Sequence, residues 1–504
     1  MSTASQTSNS TPTPFTPQDI RAIIIGLMLA ILLGALDSTI ISVALPKMAA
    51  DLDGVGLLAW VMSGYLIAMA VATPIYGKLG DIYGRRSVLS SAIILFLIAS
   101  VACAMAPTMP FLVAARILQG LGGGGLISVA QATIADVVSP RDRGRYQAYI
   151  SGAFAVASVS GPVLGGVLTA YLSWRWVFWI NLPLGIAALL ISRRAMAKLH
   201  VPSRKRAVDY LGAVLLCIGL SAILLAITRA GQQDIPSLDQ DGIVLVVIAL
   251  ISLVVFIWNA QRVPEPIVPL GLFRIRTVSL SCIIVFIAFV ELVALTVLVP
   301  LELQMLTPLG ADGAAWRLIP LSLGVPIGAF TGGRLMTRWG TFKNIQLIGA
   351  ILTPIVIFLM AFTDPSMAIS MTILLALIGL GLGLQLPTTT VAVQNAVSHQ
   401  HVGIATAVAA FCRSLGSAIG IALLTAFLLI WLHAGADSLG NGMNGAEIIN
   451  TLIGHSHTSA KDLDLSGLAP IAEQSFHKVY MLAAAIAAVS TVLTLMLKNE
   501  TLSE

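Results

Sequence analysis

Apolar residues in this chain come in long blocks, with the polar residues confined to the gaps between them. Fourteen such runs can be drawn, at about 20–46, 57–79, 87–106, 111–137, 146–171, 175–196, 209–229, 241–260, 277–300, 316–337, 343–363, 367–394, 402–430 and 477–497. Each reaches the roughly 20 residues a helix needs to cross a bilayer, so the pattern predicts an all-α polytopic membrane protein. An even number of spans puts both ends of the chain on one side. Residues 1–19, rich in Ser, Thr and Pro from Ser2 to Thr16, read as a disordered tail. The one long polar gap, 433–475, with several glycines and three histidines, reads as an outer hairpin or cap.

Composition narrows the class further. The chain of 504 residues is 57% hydrophobic and 10% charged, against about 25% charged in a soluble domain, which excludes an ordinary soluble enzyme. The net charge of +5 is spread through short gaps, so it reports topology and not nucleic-acid binding. Of the 28 Lys and Arg, 18 lie in gaps after even-numbered runs and 6 in gaps after odd-numbered ones. By the positive-inside rule both termini are then cytoplasmic, although the gap after run twelve carries His399 and His401 and no Lys or Arg. Cys103, Cys217, Cys282 and Cys412 fall inside runs without paired spacing. They read as small core residues, with no metal site or disulfide framework.

Charges inside the runs carry the candidate chemistry. A carboxylate in mid-span costs about 2.5–3.5 kcal/mol on insertion scales and points to function. Asp37 lies nine residues before Pro46, and Arg116 six after Pro110. At about 1.5 Å per residue they sit roughly 14 and 9 Å below the outer face, and opposite charges at such depth are expected to pair or share a polar cavity. Glu291, nine residues before Pro300 in run nine, lies at the depth of Asp37 and is a second candidate proton or cation site. Arg413 is near the middle of run thirteen, and Trp60, Tyr65 and Phe286 are candidate cavity aromatics.

Two gaps and one run carry further patterns. Between runs two and three, Gly77-Lys78-Leu79-Gly80-Asp81-Ile82-Tyr83-Gly84-Arg85-Arg86 offers glycines for a tight turn and an acid that can accept from the arginines. A weaker echo, Gly332 to Gly340, follows run ten, which suggests internal duplication and loops that latch one conformation. In run five, Gly161-Pro162-Val163-Leu164-Gly165-Gly166 combines a kinking proline with glycines for close helix packing.

Taken together these segments resemble the major facilitator superfamily, and within it the fourteen-span drug:proton antiporter family. Leu36-Asp37-Ser38-Thr39-Ile40 with Val43-Ala44-Leu45-Pro46 is similar to that family's first-span signature. Gly77 to Arg86 resembles the superfamily's loop motif, with Ile82 where an arginine is frequent, and Arg116-Ile117-Leu118-Gln119-Gly120 resembles the fourth-span motif tied to proton coupling. Gly161 to Gly166 is similar to the fifth-span antiporter motif, and Trp174 to Pro183 to a further signature of the fourteen-span group. Glu302 stands where relatives more often have an aromatic or neutral residue.

The resemblance implies two six-helix bundles, 20–198 and 277–504, with a linker at 199–276 that holds two inserted spans. It implies a multi-pass protein of the cytoplasmic (inner) membrane, driven by the proton gradient with no bound cofactor. A substrate, often a lipophilic cation, would bind between the bundles and favour loss of the proton from Asp37. The bundles would then rock, with Arg116 favouring the charged carboxylate. The expected partners are a small-molecule substrate, protons and lipid, and no nucleic acid; a periplasmic adaptor or outer-membrane channel stays open. A dedicated exporter of one metabolite, siderophore or antibiotic is the alternative. An uptake symporter and a membrane enzyme fit less well, since the fifth-span motif argues for export and there is no nucleotide loop.

Overall fold

The computed structural model describes residues 16–52, 57–138, 143–199, 209–230, 240–264, 266–309, 311–398, 401–438, 448–449, 452 and 468–499. Among these there is no β-strand, and every apolar run falls on helix. The first half of the chain forms α1 (Pro17–Asp51), α2 (Leu58–Tyr83), α3 (Arg85–Ala104), α4 (Met109–Val137), α5 (Arg143–Tyr171), α6 (Trp176–Trp179) and α7 (Asn181–Ala195). Next come α8 (Tyr210–Ala230) and α9 (Gln240–Arg262). The second half forms α10 (Arg276–Leu306), α11 (Ala311–Arg317), α12 (Ile319–Trp339), α13 (Lys343–Ala361), α14 (Ala368–Asn395), α15 (Val402–Ser438) and α16 (Leu468–Leu495).

Eleven helices among the described residues are long and apolar enough to cross a membrane. The long helices outside that set are α5 and α12, which carry glycines, serines and prolines in place of bulky apolar residues, and α8, whose apolar stretch is Tyr210–Ile223. For α5 and α12 the reason is mutual: they pack on each other across the two halves, so small residues serve close approach where lipid contact would ask for bulk.

Helix ends depart from the hydropathy pattern where polar caps take over. Helix α1 begins at Pro17 and not at residue 20. Thr16 Oγ1 accepts from the Asp19 amide at 3.2 Å and the Asp19 carboxylate accepts from Thr16 N at 3.1 Å, a reciprocal capping box. At the other end, α15 runs to Ser438 and α16 starts at Leu468, so both edges of the expected outer loop 433–475 are helical. One-turn pairs continue the helices there, His433 with Asp437 and Glu473 with His477. Of the cap expected over the outer mouth only residues 448–449 and 452 are described between the two helices, with Ile448 and Leu452 buried in the second-half core; the first fifteen residues of the expected tail lie outside the described residues.

Contacts repeat between the halves. Helix α1 packs on α5 and α7, α2 on α4, and α3 on α4; likewise α10 packs on α15 and α16, α12 on α14, and α13 on α14. The halves meet where α5 crosses α12 and α15 crosses α2. Helices α8 and α9 pair with one another, and α8 lies against α2 and α15. There Leu216, Leu220 and Phe256 share an apolar cluster with Val71, Val278 and Ile404, which fixes the inserted pair to the crossing.

Polar ties mark the two faces. Lys198 Nζ holds the Asp19 carboxylate at 2.9 Å, placing the start of α1 beside the end of α7. Lys343 Nζ donates to Leu495 O and Leu497 O, placing the end of α16 beside the start of α13. On the opposite face, Trp174 Nε1 donates to Asp51 Oδ2 at 2.9 Å. All four cysteines are free.

Candidate functional site

Asp37 and Arg116 meet. Both are fully buried, and Arg116 Nη1 donates to Asp37 Oδ2 at 2.7 Å. Asp37 Oδ1 accepts from Gln119 Nε2 at 2.9 Å and from Asn181 Nδ2 at 2.8 Å. One carboxylate thus takes three donors, from α4 twice and α7 once. Arg116 Nη1 also reaches Gln119 Oε1 at 2.7 Å, and its guanidinium lies 4.0 Å over the Tyr65 ring. Asn181 Nδ2 also donates to Ser100 Oγ, whose hydroxyl donates in turn to Phe178 O at 2.9 Å. Three polar atoms of this cluster have no partner: Tyr65 Oη, Arg116 Nη2 and Asn181 Oδ1. A buried charged pair inside a network that still holds unpartnered polar atoms is costly to maintain, because low local dielectric penalises each unmade bond.

Gln119 and Asn181 were not singled out from the sequence. Gln119 is three residues after Arg116, hence on the same helix face, and Asn181 is a lone amide inside run six; both also fall within the quoted motifs Arg116 to Gly120 and Trp174 to Pro183. The glycines of run five serve the same site from outside. Helix α5 is continuous through Gly161 and Gly165. A Cβ on Gly161 would stand 2.0 Å from Thr39 Oγ1, and one on Gly165 2.4 Å from Ile40 O. Gly161 and Gly165 therefore press α5 onto α1 two residues past Asp37. Gly166 is half-buried, and Pro162 is helical within α5.

The loop motif forms a charge cluster at the end of α2. Gly84 turns the chain at φ 85°, a region that favours glycine. Arg85 pairs with Asp81, and its Nε donates to Asp136 Oδ2 of α4 at 2.8 Å. Arg86 is half-buried beside it. The cluster abuts the start of α15: a Cβ on Gly403 would collide with Arg85 and Asp81, and one on Gly77 would stand 2.3 Å from Ala407 Cβ. The loop thus bridges the halves. In the echo, Gly340 repeats the turn at φ 67°, but Arg334 stacks on Phe330, with its Cζ 4.9 Å from the ring centroid. Thr337 donates to Gly333 O within its own helix.

In the second half Glu291 is fully buried and neither carboxyl oxygen has a partner. Glu302, nearer the end of α10, accepts from Tyr480 Oη at 2.7 Å. Between the halves lies a cavity of about 360 Å³, walled by α2, α4, α5, α10, α12, α14 and α15, a size typical of small-molecule sites. Of the candidate cavity residues, Arg413 lines it, while Trp60, Tyr65 and Phe286 do not; the lining aromatics are Phe154 and Phe289. Trp60 is half-buried toward the start of α2, Tyr65 is buried under Arg116, and Phe286 is half-buried with its backbone against Gly416. Neither Asp37 nor Glu291 lines the cavity. A larger groove of about 710 Å³ between α1 and α5 is lined by the exposed Ile25, Tyr149 and Val156, so it reads as a lipid-facing crevice.

Comparison with known proteins places this arrangement in a class. Residues 27–421 match the family model described as Major Facilitator Superfamily, and the chain belongs to that superfamily of membrane transporters. It is 32% identical over 405 residues to "Multidrug resistance protein 3" of Bacillus subtilis, covering 80% of this chain and 78% of that protein. It is 34% identical over 350 residues to the "Acurin A biosynthesis cluster MFS-type transporter" of Aspergillus aculeatus, covering 68% and 63%. Among solved structures it is similar in fold to the human organic anion transporter MFSD10 (TETRAN), with a TM-score of 0.62 at 16% identity, covering 95% of this chain and 100% of that one.

Proposed function

We propose that the chain is a proton-driven exporter of drug-like small molecules, a fourteen-span member of the drug:proton antiporters in the cytoplasmic membrane, with both termini inside. The observation that carries this reading is the wholly buried Asp37 carboxylate held by Arg116, Gln119 and Asn181. A carboxylate deep in a span with a fixed counter-charge is what a coupling site needs. The likeness to a protein named for multidrug resistance supports export of many compounds.

Protonation of Asp37 frees Arg116 and Gln119 from it, and α4, which bears both, also lines the cavity through Ile127 and Gln131. Coupling between proton and substrate is therefore indirect, through α4 and through α2, where Tyr65 stacks on Arg116 and Leu66 lines the cavity. The Asp81–Arg85–Asp136 cluster against the start of α15 closes the cytoplasmic side; its opening admits substrate. The gradient contributes about 2.3 kcal/mol per charge per 100 mV. A second reading, a dedicated exporter of one natural product, is favoured by the likeness to a transporter named for a biosynthesis cluster.

The test is efflux from energised cells loaded with dyes of both charge signs. Wild type lowers accumulation, a protonophore restores it, and Asp37→Asn matches empty vector at equal expression. Normal pumping by Asp37→Asn would overturn the coupling assignment, and a response to one compound alone would favour the second reading.

A further inference from the structure

The inner cavity carries a charge that the protein leaves unanswered. Among the described residues that line it, Arg413 is the one ionisable group, and no Asp or Glu is present. Among the described residues it has no ion pair, and its closest recorded interaction is a loose one with the Phe289 ring, 5.6 Å from Cζ. A guanidinium in mid-span without a carboxylate is expensive, and such residues mark substrate paths. Its planar fork matches a carboxylate or sulfonate through two parallel hydrogen bonds. Around it Phe154, Phe289, Leu66 and Leu292 offer apolar wall, and Ser417 lines the cavity one helical turn away, its hydroxyl donated to Arg413 O at 3.2 Å.

We propose that this cavity binds amphipathic organic anions, an aromatic or aliphatic body ending in a carboxylate or sulfonate, with Arg413 as the anion anchor. The proposal rests on the export reading above, since it fills the same cavity, and it reverses the substrate charge that the family resemblance implies. A lipophilic cation would meet a positive charge there and no acid to balance it. Export of the carboxylates among them also has a chemical use: such weak acids cross a bilayer in neutral form, ionise inside and accumulate unless pumped out.

The experiment is equilibrium binding to the purified chain by scintillation proximity, with radiolabelled 1-naphthaleneacetate and tetraphenylphosphonium as probes. Wild type binds the anion and not the cation. Arg413→Gln weakens anion binding by about tenfold to a hundredfold, the range for hydrogen bonds to a charged group, and Arg413→Lys recovers part of it. Should Arg413→Gln fail to fold, Ser417→Asp gives the same answer by placing a carboxylate one turn from Arg413: it abolishes anion binding and admits the cation. Cation binding by wild type, or anion binding indifferent to both changes, would overturn the proposal. Competition by short-chain phosphatidylglycerol together with failure of naphthaleneacetate would make a lipid the occupant and overturn it too. Anion binding without proton-driven transport in liposomes would leave the anion site standing and sink the export reading. Transport of the cation with no anion binding would do the reverse.

Discussion

The two halves of the molecule place a carboxyl group at the same point of their first helix and surround it in opposite ways. Asp37 and Glu291 each lie nine residues before a proline, Pro46 in α1 and Pro300 in α10. The fourth helix of each half can be aligned by its glycines. Gly120, Gly122 and Gly124 of α4 pack on Tyr65, Phe96 and Met69, just as Gly379, Gly381 and Gly383 of α14 pack on Leu321, Thr353 and Val325. In that register Arg116 corresponds to Leu375 and Gln119 to Ile378, and both apolar residues are fully buried. One half built a charged network around its acid; the other leaves its acid buried with no partner among the described residues. The backbone repeat is kept while the acid paired with an arginine occurs, among the described residues, in the first half and not at the matching acid of the second.

The comparison breaks most sharply at Arg116. Arg116→Ala leaves a buried carboxylate without its counter-charge, a loss of roughly 3–5 kcal/mol, read as a large fall in thermal stability of the detergent-solubilised protein. Asp37→Asn combined with Arg116→Gln removes both charges, and most of the stability returns while transport does not. If Arg116→Ala melts like wild type, the pair is not the structural keystone drawn above.

The contact between the halves gives a smaller effect. Gly77→Val forces a side chain into the space held by Ala407, an overpacking cost of about 1–3 kcal/mol that falls only on the state in which α2 and α15 touch. The population shifts to the open state, and spin labels at Tyr83 and His401, both exposed on that side, move apart. The echo motif is the control: Arg334 meets a ring and no acid, so Arg334→Ala leaves that distance unchanged. Equal opening in both variants would mean that the two loops latch alike.

Hydropathy made the helices legible because burial in lipid leaves a long, uniform mark on the chain, and mid-span charge made Asp37 and Arg116 legible because it is rare there. What stayed hidden was direction. Tyr65 and Trp60 were picked for being aromatic on a plausible helix, yet which way a ring points depends on helix rotation. That rotation is fixed by Gly120 and Gly124 seating α4 on α2, a contact between distant segments. Phe154 and Phe289, which do line the cavity, carry the same aromatic signal and no stronger one. Arg413 was visible as a charge, but its lack of a partner could be known only once α10, α14 and α15 were brought together. Hydropathy does not mark the ends of α15 and α16, because helix continues there through polar residues such as His433 and Asp437, or Glu473 and His477, that face each other one turn apart.

Glu291 yields the smallest expected change and the most discriminating one. Both of its oxygens lack partners inside a fully buried site, and an ion there would have nothing to repay its desolvation. With no cation beside it among the described residues, Glu291 lacks the counter-charge that Asp37 has in Arg116. Glu291→Gln keeps the shape of a side chain that pairs with nothing among the described residues, so stability should change by less than about 1 kcal/mol, and proton-coupled transport should persist at near wild-type rate while Asp37→Asn abolishes it. Side-by-side transport in liposomes at matched protein density decides. A loss in Glu291→Gln as deep as in Asp37→Asn would mean that α10 carries its acid into water at another stage of the cycle. The contrast between the halves would then be a property of one conformation and not of the protein.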